Sequence, residues 1–107
     1  MTKQDISSSD SWQNSDTEQV FSLKLFVTGA SPNSARAIAN LKNICEKYLS
    51  TKYDLEIIDI YQQPLLAQNE HIIALPMLVK SFPLPLKRLV GDMSNTEKVL
   101  RGLGLNT

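Results

Sequence analysis

The side chains of this chain that carry chemistry are few and badly spaced for catalysis. They are one cysteine, Cys45, one histidine, His71, and the hydroxyls and amide of a Gly29-Ala30-Ser31-Pro32-Asn33-Ser34 turn. Thiol–disulfide exchange needs a low-pKa thiolate at a helix N-terminus and a second thiol to resolve the mixed disulfide. Cys45 is alone and falls deep inside a helical pattern, so it reads as a small apolar core residue. Cys45 and His71 together are too few ligands for zinc. Ser31 or Ser34 with His71 and Asp59 has the composition of a hydrolase triad, but no Gly-x-Ser-x-Gly elbow surrounds either serine. The turn has the place of an anion site at a helix start, yet lacks the further glycines and the lysine of a phosphate loop. These residues argue against an enzyme and call for no cofactor.

A second group points to binding. Arg36 lies on a helical segment, and Lys80, Lys87 and Arg88 flank Phe82, Leu84 and Leu86, which alternate with Pro83 and Pro85. Basic groups around exposed apolar residues make a docking surface rather than a solubilising one. The partner is not a nucleic acid, because 11 Lys and Arg balance 11 Asp and Glu with no polybasic run. Nor is it a membrane: no apolar run approaches the ~20 residues of a span. The N-terminus has no secretory pattern, and a cytoplasmic protein is expected.

The elements that must position these groups follow from periodicity. The 107 residues fit one domain, with a polar and flexible arm expected over 1–19 and the folded domain over 20–107. Trp12 is the large apolar side chain of the arm and a candidate to dock in a groove. Phe21, Leu23, Leu25 and Val27 alternate as in a strand. Ser31 is placed to cap a helix that Pro32 opens and that ends near Ser50, with Ala37, Ile38, Leu41, Ile44, Cys45 and Tyr48 on its apolar face. Leu55–Ile60 is nearly all apolar, the mark of a strand buried on both faces. This strand–helix–strand unit predicts a right-handed crossover and parallel pairing.

Pro64 starts a short helix reaching about Asn69, and Pro76 opens a third strand. Pro83 and Pro85 bracket a turn into a short strand ending at Gly91. Ser94-Asn95-Thr96-Glu97 reads as a capping box, with Ser94 as the cap of a last helix that buries Val99, Leu100 and Leu103. The order βαβαββα is α/β and resembles the thioredoxin-like fold.

Beyond element order, particular residues recur in register with one family. They are Thr28-Gly29-x-Ser31-Pro32-Asn33-Ser34-x-Arg36-Ala37, Leu41-Lys42-Asn43-Ile44, Tyr53-x-Leu55, Ile58-Asp59-Ile60 and Ala74-x-Pro76-x-Leu78. Lys80, Pro83-Leu84-Pro85, Arg88, Gly91-Asp92-x-Ser94 and Glu97-Lys98-Val99-Leu100-x-Gly102 continue the series. From about Phe21 to Leu105 the chain resembles, without gaps, the KaiB family of cyanobacterial clock proteins. The resemblance implies a non-enzymatic protein that binds the N-terminal ring of a KaiC-type ATPase in a thioredoxin-like form. It would thereby modulate the phosphorylation cycle of the ring, with a KaiA-like protein or a competing sensor histidine kinase as further partners. The alternative is a thioredoxin-like adaptor or sensory domain in stress or kinase signalling.

The resemblance also implies metamorphism. A tetrameric ground state would share the first βαβ unit and rearrange the rest of the chain, with monomer, dimer and tetramer in exchange. Arg36, Lys80, Lys87 and Arg88 match basic positions of the family's KaiC-facing surface. Pro76, Pro83 and Pro85 fall in the segment that changes structure, and X–Pro exchange is slow enough to suit a slow switch. Gly102 and Gly104 are each expected to cost the last helix about 1 kcal/mol relative to Ala, favouring conversion.

Overall fold

The computed structural model describes residues 20–105, so the arm expected over 1–19, with Trp12, lies outside the described residues. Four strands and three helices follow in the expected order. They are β1 (Phe21–Val27), α1 (Pro32–Tyr48), β2 (Tyr53–Asp59), α2 (Pro64–Ala67), β3 (Met77–Phe82), β4 (Lys87–Val90) and α3 (Thr96–Leu103). The sheet runs β2-β1-β3-β4. β1 pairs with β2 in parallel and with β3 antiparallel, and β3 pairs antiparallel with β4.

Alternation along β1 divides the core into two layers. Phe21, Leu23, Leu25 and Val27 join Ala37, Leu41, Ile44 and Cys45 of α1 and Val99, Leu100 and Leu103 of α3. Phe26 points the other way and packs with Ile58, Met77 and Val79, against Ala67 at the end of α2. Each fully buried side chain of this size contributes roughly 1.5–3 kcal/mol. β1 supplies more of them than any other strand because it is central and covered on both faces.

α1 begins as its sequence predicts. The Ser31 side chain accepts from the Ser34 backbone N–H, and Pro32 sits at the first helical position. It ends at Tyr48 with Leu49 as its cap. Tyr48 itself is exposed rather than part of the apolar face, and Leu49, one residue on, is buried in the core instead.

Several expectations need correction. β2 is an edge strand, not a strand buried on both faces; only Ile58 is fully buried and the rest alternate between half-buried and exposed. An apolar run alone does not separate an edge from a centre. α2 stops at Ala67, short of Asn69. The α3 cap is Asn95, whose side chain accepts from the Lys98 N–H, and Ser94 instead donates its backbone N–H to Asp92. Gly104 does not weaken α3. It adopts a left-handed conformation at φ 85° as the C-cap, with the Leu105 N–H closing on Leu100 O, a role that glycine fills at low cost. Gly102 has a packing reason: a Cβ there would stand 2.4 Å from Leu89 Cδ1, so its absence lets α3 lie against β4.

Candidate functional site

The turn after β1 is closed by its own hydroxyls. The Ser31 hydroxyl donates to Ser34 Oγ at 2.8 Å, and the Thr28 N–H donates to the same Ser34 oxygen at 3.1 Å. Ser34 is fully buried, so its oxygen ties strand to helix instead of facing a substrate. Asp59, the would-be triad acid, accepts the Tyr61 N–H at 2.9 Å and stops β2. His71 is exposed on the loop before β3. Cys45 is buried, and burial, aided by the negative charge of Glu46, pushes its thiol up to about 11. A thiol held neutral in this way is a core group and not a nucleophile. A cavity of about 380 Å³ lies beside the turn, lined by Thr28, Ser31, Pro32, Asn33, Leu75 and Pro76, with no ionisable side chain in its lining. Among the described residues no cluster of His, Cys, Asp and Glu could hold a metal, and no helix is long and apolar enough to cross a membrane.

The four basic residues singled out from the sequence occupy three different settings. Lys80 and Lys87 are cross-strand partners on the face that α3 covers. Lys87 is exposed, whereas Lys80 is 3% exposed. Burial, and then the neighbouring Lys87, lowers the Lys80 ammonium below its usual range. Arg88 points to the opposite face, half-buried at 4.0 Å from Glu70, with its Nε lacking a hydrogen-bond partner. Arg36 is at the other end of the sheet, where its guanidinium donates to Asn33 and to Asp92 at 3.3 Å. Lys80 and Lys87 therefore meet at the β3–β4 turn with exposed Phe82, Leu84 and Leu86, while Arg36 does not join them.

Asp92 is the site residue that sequence reasoning passed over. Its carboxylate takes Arg36 and the Ser94 N–H, and its carbonyl accepts from the Asn40 amide at 2.9 Å. Hydrogen bonds from Ser94, with Arg36 adding its charge, hold the Asp92 carboxyl below the usual range. One loop residue thus pins the β4–α3 connection to α1. The available signal was a lone acid after the Gly91 turn and an arginine in the second turn of α1. The prolines assigned to the rearranging segment also have defined places. Pro76 is buried just before β3 and its carbonyl accepts the Gly91 N–H, and Pro83 and Pro85 shape the β3–β4 turn. All three follow cis peptide bonds.

Known proteins match both the sequence and the fold. The KaiB domain family model covers residues 24–105. The chain is 51% identical over 83 residues to circadian clock protein KaiB3 of Synechocystis sp., spanning 78% of this chain and 81% of the relative. It is 47% identical over 87 residues to circadian clock oscillator protein KaiB of Synechococcus elongatus, spanning 81% of this chain and 85% of the relative. Among solved structures, the N-terminal domain of Synechococcus elongatus SasA superposes with a TM-score of 0.64 at 27% identity, covering 80% of this chain and 85% of that domain. Yeast mitochondrial thioredoxin 3 superposes with the same score of 0.64 at 15% identity, covering 88% and 86%, a likeness of fold alone. The fold is thioredoxin-like, and the chain belongs to the KaiB family.

Proposed function

We propose that this protein works in a circadian clock or related signalling system by binding, without catalysis, to the N-terminal ring of a KaiC-type ATPase. The thioredoxin-like form docks and modulates the phosphorylation cycle of the ring, and a KaiA-like protein or a sensor histidine kinase joins or competes. The observation that carries this reading is the combination at the β3–β4 turn, within the matched domain, of exposed Phe82, Leu84 and Leu86 with exposed Lys87. The Ser31 and Ser34 hydroxyls are taken up in capping α1 and tying it to β1, which fits a binding role. Lys87 is the leading contact of the four basic residues, since Lys80 is buried and Arg36 and Arg88 are engaged with Asp92 and Glu70.

The proposal includes exchange with a tetramer in which everything after β2 is rebuilt. Support comes from three single-residue contacts that the second half adds to its apolar packing: one aspartate, one glycine approach and one glycine cap. The test is size-exclusion chromatography of the chain with a KaiC-type ATPase and ATP. The wild type is expected to co-elute and Lys87→Glu to lose most of that co-elution; equal co-elution of the variant would remove this surface.

A further inference from the structure

At the β3–β4 turn three apolar side chains are left exposed, Phe82 at 45%, Leu84 at 77% and Leu86 at 44%. Beside them Lys80 is buried to 3% exposure with no acidic partner among the described residues, and Lys87 adds a second positive charge across the strand pair. Two neighbouring like charges with no acidic partner favour an anion that meets both. The surface therefore fits an acidic segment with an apolar anchor.

The strand register brings such a segment to the spot. Ser22 pairs with Phe82, so the chain enters β1 beside this turn, and Val20 there is itself exposed. Residues 1–19 carry Asp5, Asp10, Asp16 and Glu18 against Lys3, together with Trp12, the only tryptophan of the chain. Trp12 stands about eight residues before Val20, a reach of up to ~26 Å. The stretch from Phe82 to Lys87 spans at most ~17 Å at strand rise. The KaiB family match begins at residue 24, so this segment lies outside the shared domain.

We propose that the segment preceding Val20 binds the β3–β4 turn of its own chain. Trp12 packs on Phe82, Leu84 and Leu86, while Asp16 and Glu18 face the exposed Lys87. The segment so placed is an intramolecular competitor of the ring; this regulatory half rests on the function proposed above, whereas the docking itself does not.

Emission of Trp12 in the full chain reads the docking directly. A tether of this length supplies an effective concentration of about 1 mM, so a segment of about 1 mM intrinsic affinity is bound about half of the time. The iodide quenching constant of the wild type should then be about half that of free tryptophan amide, independent of protein concentration. Leu84→Ser with Lys87→Glu, and separately Asp16→Lys with Glu18→Lys, should each raise it about twofold. Quenching equal to the free amide, or insensitive to both variant pairs, overturns the docking. Protection that grows with protein concentration overturns it in favour of a second copy as the acceptor. In ring titrations Trp12→Ala should bind about twofold more tightly. Unchanged affinity beside a protected Trp12 overturns the competition, whereas failure of the wild type to bind any ring strikes the proposed function and leaves the quenching result standing.

Discussion

The first βαβ unit and the segment after it share one apolar core, but the second region adds single-residue contacts that the first does without. From Phe21 to Asp59, stability comes from continuous apolar packing: Leu25, Phe26, Ala37, Leu41, Cys45 and Ile58 are all fully buried. From Met77 to Leu105 the chain also buries Met77, Leu78, Val79, Met93, Val99, Leu100 and Leu103, and adds a few particular contacts to this packing. These are the Gly102–Leu89 approach, the left-handed Gly104 cap and the Asp92 bridge to α1. The second region also buries Lys80 without an acidic partner among the described residues. Packing spread over many residues resists any one change. A contact made by a single residue is lost with one change, which suits the region where the proposed rearrangement and docking take place.

The comparison breaks or sharpens under substitution. Leu25→Ala empties the shared centre and should cost about 3 kcal/mol in chemical denaturation, with both regions melting together; a loss confined to the second region would undo the division. Gly104→Ala forces a side chain into a left-handed cap and should cost about 1–2 kcal/mol. Its effect should appear first as faster amide exchange in β4 and α3, ahead of β1 and α1.

Gly102→Ala sets two effects against each other. Overpacking against Leu89 costs ~1–3 kcal/mol and helix propensity returns ~1 kcal/mol. The expected net loss is about 1 kcal/mol, relieved when Leu89→Ala is added in a double-mutant cycle. Additive losses would show that the close approach does not explain this glycine. The tetramer-to-monomer ratio should also shift in Gly102→Ala, because under the proposed rearrangement only the thioredoxin-like form makes this contact.

Asp92→Asn is the mildest change and is read best against pH. A carboxyl held below its usual value of 3.8 contributes stability above that pH and loses it as pH falls through the lower folded value. The wild type should therefore lose stability below pH 3.8 by more than Asp92→Asn does. Identical acid denaturation curves would remove Asp92 from the attachment of the second region.

Much of the first region could be read from residue types. Alternation in β1, the Ser31 cap and Pro32 at the helix start are local signals, and the structure contains each of them. What failed depended on neighbours distant in sequence. Whether Leu55–Ile60 is central or at an edge is settled by β3 taking the other side of β1. Ser94 and Asn95 are both good caps, and the choice went to Asn95 once Asp92 engaged the Ser94 N–H. Gly104 was indistinguishable from a helix-weakening glycine until the chain was seen to leave α3 through it. Lys80 was legible as a basic residue beside the turn, but not its burial on the face that α3 covers, which is a tertiary fact. Arg36 was visible as a basic residue, but its attachment to Asp92, 56 positions away, was not.

The central claim is that the thioredoxin-like form binds a KaiC-type ring through the β3–β4 end. Amide hydrogen exchange of the chain alone and in complex with the ring tests it directly. The account predicts new protection over residues 82–90, with the antiparallel β1–β3 pair protected in both states. Protection gained elsewhere with the 82–90 segment unchanged, or loss of the β1–β3 pairing on binding, would contradict it.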